Sequence, residues 1–116
     1  MMSDGLDIAL ANSGEVCVVT LSGRIDNSNS AELTRRLNTL IAAGQRNILL
    51  DFAAVLYLTS AAFRALLVAT DAAERSAGRL ALCSVIGHVR ELFEMGGLLD
   101  AFTILGSREE ALARLG

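Results

Sequence analysis

The sequence predicts an α/β domain: one mixed β-sheet that begins with an N-terminal hairpin and is backed by about four helices. Three observations carry this. "LDIALANSGEVCVVTLSG" holds two strand-like runs joined at Asn12-Ser13-Gly14, a composition that favours a hairpin turn. Beyond it, short apolar runs of β type alternate with segments of helical periodicity, the pattern of strand–helix–strand crossovers. The chain has 116 residues, 53% hydrophobic and 20% charged, enough for one substantial core, so residues 1–116 are read as a single domain and disorder is disfavoured.

Taken in order, Val16, Cys17, Val18, Val19 and Leu21 place apolar side chains on both faces of the second strand, which must therefore be covered on both sides. Gly23 is expected to end that strand, and "GRIDNSNS" to form a polar junction. Leu33, Leu37, Leu40 and Ile41 form one apolar stripe on a helix from Ala31 to Ala43. Asn29 with Glu32 has the form of a capping box, and Gly44 falls just past the helix end. "NILLDF" is a short buried strand, and Ala61 to Ala77 a helix closed by Gly78. "RLALCSV" is a strand, "GHVRELFEM" a helix stopped by Gly96-Gly97, and "AFTIL" a last short strand. "SREEALARL" is a terminal helix with capping-box spacing between Ser107 and Glu110.

Composition excludes several function classes. The net charge of −3 and scattered arginines supply no basic patch for nucleic acid. No apolar run reaches membrane-spanning length and "MMSDGLDIAL" lacks a leader-like pattern, so a cytoplasmic protein without membrane insertion is expected. Cys17 and Cys83, without CxxC spacing, read as buried small hydrophobes. His88 is the only histidine and reads as a surface or core packing residue, not as a base or ligand. Asp26, Asp51, Asp71 and Glu74 have no metal-ligand spacing and read as solvated or junction acids. No P-loop or GxGxxG occurs, and Leu58 and Ala62 occupy the glycine positions of a GxSxG elbow around Ser60. The chain is therefore read as no enzyme, with no cofactor and no metal. Such a domain acts by being bound, through groups at the ends of its elements.

One junction stands out. In "VLYLTSAAFRALL" two adjacent hydroxyls, Thr59 and Ser60, interrupt an apolar run where a strand gives way to a helix. The simplest reading is an N-cap; the other is a modifiable hydroxyl at a partner-facing helix start. On the helix that follows, Phe63, Leu66, Leu67 and Thr70 fit a buried stripe and Arg64, Asp71, Glu74 and Arg75 a wet side. Val68 falls between them, with Ala61, Ala65 and Ala72 as small neighbours that permit close approach.

"LSGRIDNSNSAEL", "NILLDFAAVLYLTSAAFRALL" and "RLALCSVIGHVRELFEMGGLLDAFTIL", in this order and spacing, resemble a STAS domain, most of all the bacterial anti-sigma factor antagonists. The resemblance implies a non-catalytic protein that binds an anti-sigma factor with serine-kinase activity and so releases a sigma factor. It implies that phosphorylation of one Ser at the helix start switches binding off, and that a PP2C-type phosphatase restores it. The phosphoacceptor position falls on Ser60, with Thr59 as the runner-up. Thr59 stands where the family has an acid, and Ala62 where it has glycine. Asp26 matches an acidic position whose loop lies beside the phosphorylation site. Asp26, Thr59, Ser60, Ala61 and Arg64 are accordingly the expected partner-binding residues, with Arg64, four residues past Ser60, placed to pair with a phosphate. The alternative is a STAS accessory subunit of a cytoplasmic transport ATPase complex that uses the same surface without phosphorylation, which suits the missing acid.

Overall fold

The computed structural model describes residues 5–115. Their elements are β1 (Leu6–Ser13), β2 (Val16–Ile25), α1 (Ser30–Ala42), β3 (Asn47–Leu58), α2 (Ser60–Arg75), β4 (Arg79–Cys83), α3 (Gly87–Met95), a 3₁₀ turn (Leu99–Ala101), β5 (Thr103–Leu105) and α4 (Arg108–Leu115). The sheet has five strands in sequential order. β1 and β2 form the expected antiparallel hairpin, and all later neighbours pair in parallel. Three successive crossovers step in one direction, and their helices α1, α2 and α3 pack on one face of the sheet. The core is divided accordingly. Cys17, Val19, Leu21, Ile48, Leu50, Leu80 and Leu82 share a cluster with Leu33, Leu37 and Ile41 of α1, with Leu66 and Ala69 of α2, and with Val89 and Phe93 of α3. Val16, Val18, Leu49, Ala81 and Cys83 point to the opposite face, where Ala111 and Leu115 of α4 cover them. Strict alternation thus explains why these strands are apolar on both sides. It also separates the cysteines, which are both free.

Several expectations need correction. The hairpin turn is Gly14-Glu15, since Ser13 already pairs with Val16. Gly23 does not end β2: it lies inside it, at φ +104°, where a β-carbon would strike the Gly5 carbonyl, and it marks an irregularity in the pairing with β3. β3 does not stop at Phe52 but continues to Leu58, held by β2 alone after β4 has ended. α2 runs from Ser60 to Arg75 instead of from Ala61 to Ala77. Its buried stripe is Ala62, Ala65, Leu66, Ala69 and Ala73, while Leu67 and Val68 are exposed. The small residues face inward because α1 and α2 lie side by side over the sheet, and alanines let α2 sit close to it.

Among the acids, Asp51 is neither solvated nor idle. It is buried, accepts a hydrogen bond from the Ala53 N–H at 2.9 Å, and receives Arg108 Nε at 2.8 Å; Arg108 also donates to Thr20 Oγ1 at 2.7 Å. This tie fixes the start of α4 against the sheet. Ser107 caps the same helix, accepting from the Glu110 N–H at 3.1 Å. Burial, and secondarily the Asp51 charge, push the nearby Cys83 thiol up to about 11, so it stays protonated. On the other face all four phenylalanines meet: Phe52, Phe63 and Phe102 each contact Phe93 edge to face, with centroids at 6.0, 4.8 and 5.6 Å.

α2 ends in a Schellman motif, with Gly78 N–H bonded to Ala73 O and Ala77 N–H to Glu74 O. The left-handed position belongs to Ala77, at φ 62°, and not to Gly78. Gly78 is required one residue on because a β-carbon there would collide with the Arg46 carbonyl. An L-residue held at positive φ costs about 1 kcal/mol. Ala77→Gly, at an exposed position, is therefore expected to stabilise the domain by roughly 0.5–1 kcal/mol, seen as a higher urea midpoint at unchanged m-value.

Candidate functional site

The junction containing Thr59 and Ser60 is built where the two longest parallel strands end together. Ile25 pairs with Leu58, and the Thr59 N–H donates to Ile25 O at 3.1 Å as the last rung. From this point the 26–29 loop leads into α1 and Thr59 leads directly into α2. The starts of two helices are thereby placed next to one another.

The loop is held by its own polar groups. Asp26 Oδ1 accepts from the Ser28 N–H at 2.9 Å and from the Ser28 hydroxyl at 2.6 Å. Asn29 is only 6% exposed, and its amide oxygen accepts from the Asp26 N–H at 2.9 Å while its Nδ2 donates to Arg24 O at 3.0 Å. The expected capping box is therefore absent: Asn29 occupies the N-cap position of α1 but makes no side-chain cap. Its amide is committed to closing the loop on the end of β2. The Ser28 hydroxyl and N–H beside Asp26, with a smaller contribution from Arg24, hold its carboxyl below the usual aspartate range.

An open groove of about 360 Å³ separates the first turns of α1 and α2. Asn27, Ser30 and Thr34 form one wall, and Ser60, Ala61 and Arg64 the other. Thr59 is the N-cap residue of α2, yet its hydroxyl does not cap; it donates across the groove mouth to Asn27 Oδ1 at 3.3 Å. Ser60 is thus the first helical residue and not the cap, and it is exposed. Arg64 is exposed one turn further on and makes no ion pair or hydrogen bond among the described residues. Of the residues singled out from sequence, Thr59, Ser60, Ala61 and Arg64 come together here. Asp26 lies in the adjoining loop, and Asn27 makes that loop's contact with Thr59.

Sequence reasoning missed Asn27, and gave Asn29 a capping role in place of the loop-closing one it has. Their signal is the "DNSN" run directly after a strand, since Asx side chains organise turns by bonding nearby backbone. His88 is exposed, stacked on Tyr57 with centroids 6.2 Å apart and 3.4 Å from Glu91. No group of three or more His, Cys, Asp or Glu side chains among the described residues is placed to hold a metal ion. No helix among them is long and apolar enough to cross a membrane.

The family model for the STAS domain matches residues 7–111. This chain belongs to the STAS domain family. The STAS chain is 33% identical, over 96 residues and 83% of each protein, to BtrV of Bordetella bronchiseptica, which bears the name of an anti-sigma factor antagonist. Its fold matches an anti-sigma factor antagonist from Mycobacterium paratuberculosis at a TM-score of 0.86 and 20% identity, covering 98% of this chain and 97% of that one. It also matches the phosphorylated form of the Bacillus cell-fate determinant SpoIIAA, at a TM-score of 0.72 and 23% identity, over 95% and 100% of the two chains. A segment of the murine anion transporter Slc26a9 has the same fold, with a TM-score of 0.75 and 16% identity over 90% of this chain and 18% of the transporter.

Asn29 and Asp26 should separate under mutation. Asn29→Ala leaves the Asp26 N–H and the Arg24 carbonyl without their buried partner and should cost about 1–3 kcal/mol in chemical denaturation. Asp26 has a folded-state pKa below its unfolded value, so its contribution is present above the usual aspartate range and is lost as pH falls through the lowered value. Asp26→Asn should flatten the acid limb of the stability profile, with a small loss at neutral pH, where the Asp26 contribution is fully present, and convergence with wild type as pH falls through the lowered value.

Proposed function

We propose that this STAS domain is an anti-sigma factor antagonist. It binds an anti-sigma factor with serine-kinase activity through the surface around the start of α2, releasing a sigma factor, and phosphorylation of Ser60 switches that binding off. A PP2C-type phosphatase resets it. The observation that carries the reading is the Ser60 hydroxyl, exposed on the first residue of α2 and opening into a groove shared with Arg64, in a chain one-third identical to a protein named as such an antagonist. Ser60 is favoured over Thr59 because the Thr59 hydroxyl is engaged with Asn27 and half-buried.

The physics of the site favours a switch that acts on the partner and not on the fold. A phosphate on Ser60 adds about −1.5 to −2 charges beside the first-turn N–H groups of α2, which Thr59 leaves uncapped, at the helix end that favours anions. Arg64 is within one turn and free to turn toward it. The modified helix therefore stays folded. At an interface the same charge must lose its water, and without a pairing group on the partner that is strongly unfavourable.

Ser60→Ala should fold with a stability change within about 0.5 kcal/mol, since no cap is lost, and should bind the kinase constitutively. Ser60→Asp should keep its thermal midpoint while its affinity for the kinase falls roughly ten- to hundredfold, or about 1.4–2.8 kcal/mol. Incubation with ATP and the cognate kinase, followed by mass spectrometry, tests the assignment: phosphate should map to Ser60 and vanish in Ser60→Ala. Phosphate retained by that variant refutes it. A wild-type protein that binds the kinase but takes up no phosphate favours use of this surface without modification, as in an accessory subunit of a transport ATPase.

A further inference from the structure

The two edges of the sheet differ in how they are protected. β5 is three residues long, and so short an edge offers little to pair with. β1 is eight residues long and, among the described residues, has β2 as its only neighbour in the sheet. It carries no Lys, Arg or Pro, and its one charge is Asp7. The hairpin fixes which backbone groups face outward. Arg24 N–H donates to Gly5 O and Ser13 pairs with Val16 across a two-residue turn, so the odd-numbered residues of β1 bond to β2. The N–H and C=O groups of Leu6, Ile8, Leu10 and Asn12 therefore point away from the sheet, and Leu10 is 45% exposed.

We propose that β1 is a self-association edge: a second copy of this chain pairs its β1 antiparallel to the first, about a two-fold axis normal to the sheet at Ala9. Such an axis keeps the helix-bearing faces on the same side, so residues of equal parity meet. Centred on Ala9, the strand fits itself. Ile8 lies opposite Leu10 of the second copy, and Leu10 opposite its Ile8, each pair joined through the outward backbone groups. Leu6 and Ile8 already pack on the core beneath α1, so these pairs continue that core across the axis. Asp7 lies opposite Ala11 of the second copy, which keeps the only charges of the two strands apart. Centring on Leu10 would instead set Ile8 against Asn12. A pairing this short falls at the small end of specific interfaces, below about 1,200 Å², so the dimer is weak and concentration-dependent. The inference is independent of the Ser60 reading, because no residue lining that groove belongs to β1.

Sedimentation velocity over a concentration series, together with cysteine cross-linking, tests it. The wild-type sedimentation coefficient should rise from a monomer to a dimer value as concentration increases. Leu10→Lys, at an exposed side chain, should remain monomeric with an unchanged thermal midpoint. Leu10→Pro, which removes an outward N–H that the monomer does not use, should behave alike. Ala9→Cys faces itself across the axis at the close spacing of a non-hydrogen-bonded pair and should form a reductant-sensitive dimer, whereas Ala11→Cys should not. Cys17 and Cys83 are buried and do not compete. A monomer at every concentration, a Leu10→Lys variant that sediments like wild type, or Ala11→Cys cross-linking as fast as Ala9→Cys would each overturn the proposal.

Discussion

The parallel pairing of β2 with β3 beyond the end of β4 is the constraint on which the candidate site depends. β4 pairs with β3 only as far as Asp51 and Cys83, yet β3 continues beside β2 to Leu58 and closes with the Thr59–Ile25 bond. That extension carries two chain exits to one place. The loop from Ile25 and the helix from Thr59 emerge side by side, and the groove between α1 and α2 follows from it. Irregularities between Thr20 and Ser22, and again at Gly23, keep the pairing going while the strand bends. Gly23 is the residue that tolerates this, since a side chain there would meet the backbone of Gly5, just before β1.

The two faces of the sheet serve this end differently. Beneath α1, α2 and α3 the core is continuous and aromatic near Phe93, and the alanines of α2 let it lie close to the sheet beside α1. The opposite face is smaller and depends on α4, whose first residue is anchored by the Arg108–Asp51–Thr20 contact. A buried carboxylate is tolerated only when satisfied, here by the Ala53 N–H and Arg108 Nε, and it fastens the last helix to the centre of the sheet.

Most of the element order was legible from periodicity and glycines: the hairpin, the Leu-rich stripe of α1, the α3 boundaries and the Ser107 cap. What escaped did so for identifiable reasons. "AAVLYL" has no clean alternation, because past the end of β4 only Val55 and Leu58 of it are buried, so the length of β3 could not be read. Apart from Leu66 the inward face of α2 is made of alanines, which carry little hydrophobic signal, and Leu67, which is exposed, drew the stripe to the wrong side. Asn29 has the spacing of a capping residue, but its amide is drawn to Arg24 and Asp26 by tertiary geometry. Asp51 finds its partner 57 residues away, a separation no local pattern reports. At the candidate site, Thr59, Ser60, Ala61 and Arg64 were legible as a group because they share one helical turn; Asn27 was not, because it joins them only through the β2–β3 pairing.

On the proposed reading, the start of α2 is a preformed surface whose charge, and not whose fold, changes when Ser60 is phosphorylated. Amide chemical shifts and hydrogen exchange of the protein before and after phosphorylation by its kinase address this most directly. The account predicts shift changes confined to the 26–34 and 59–68 segments, with protection of the α2 and β3 amides unchanged. Loss of protection along α2, or shift changes spreading through α3 and β4, would contradict it.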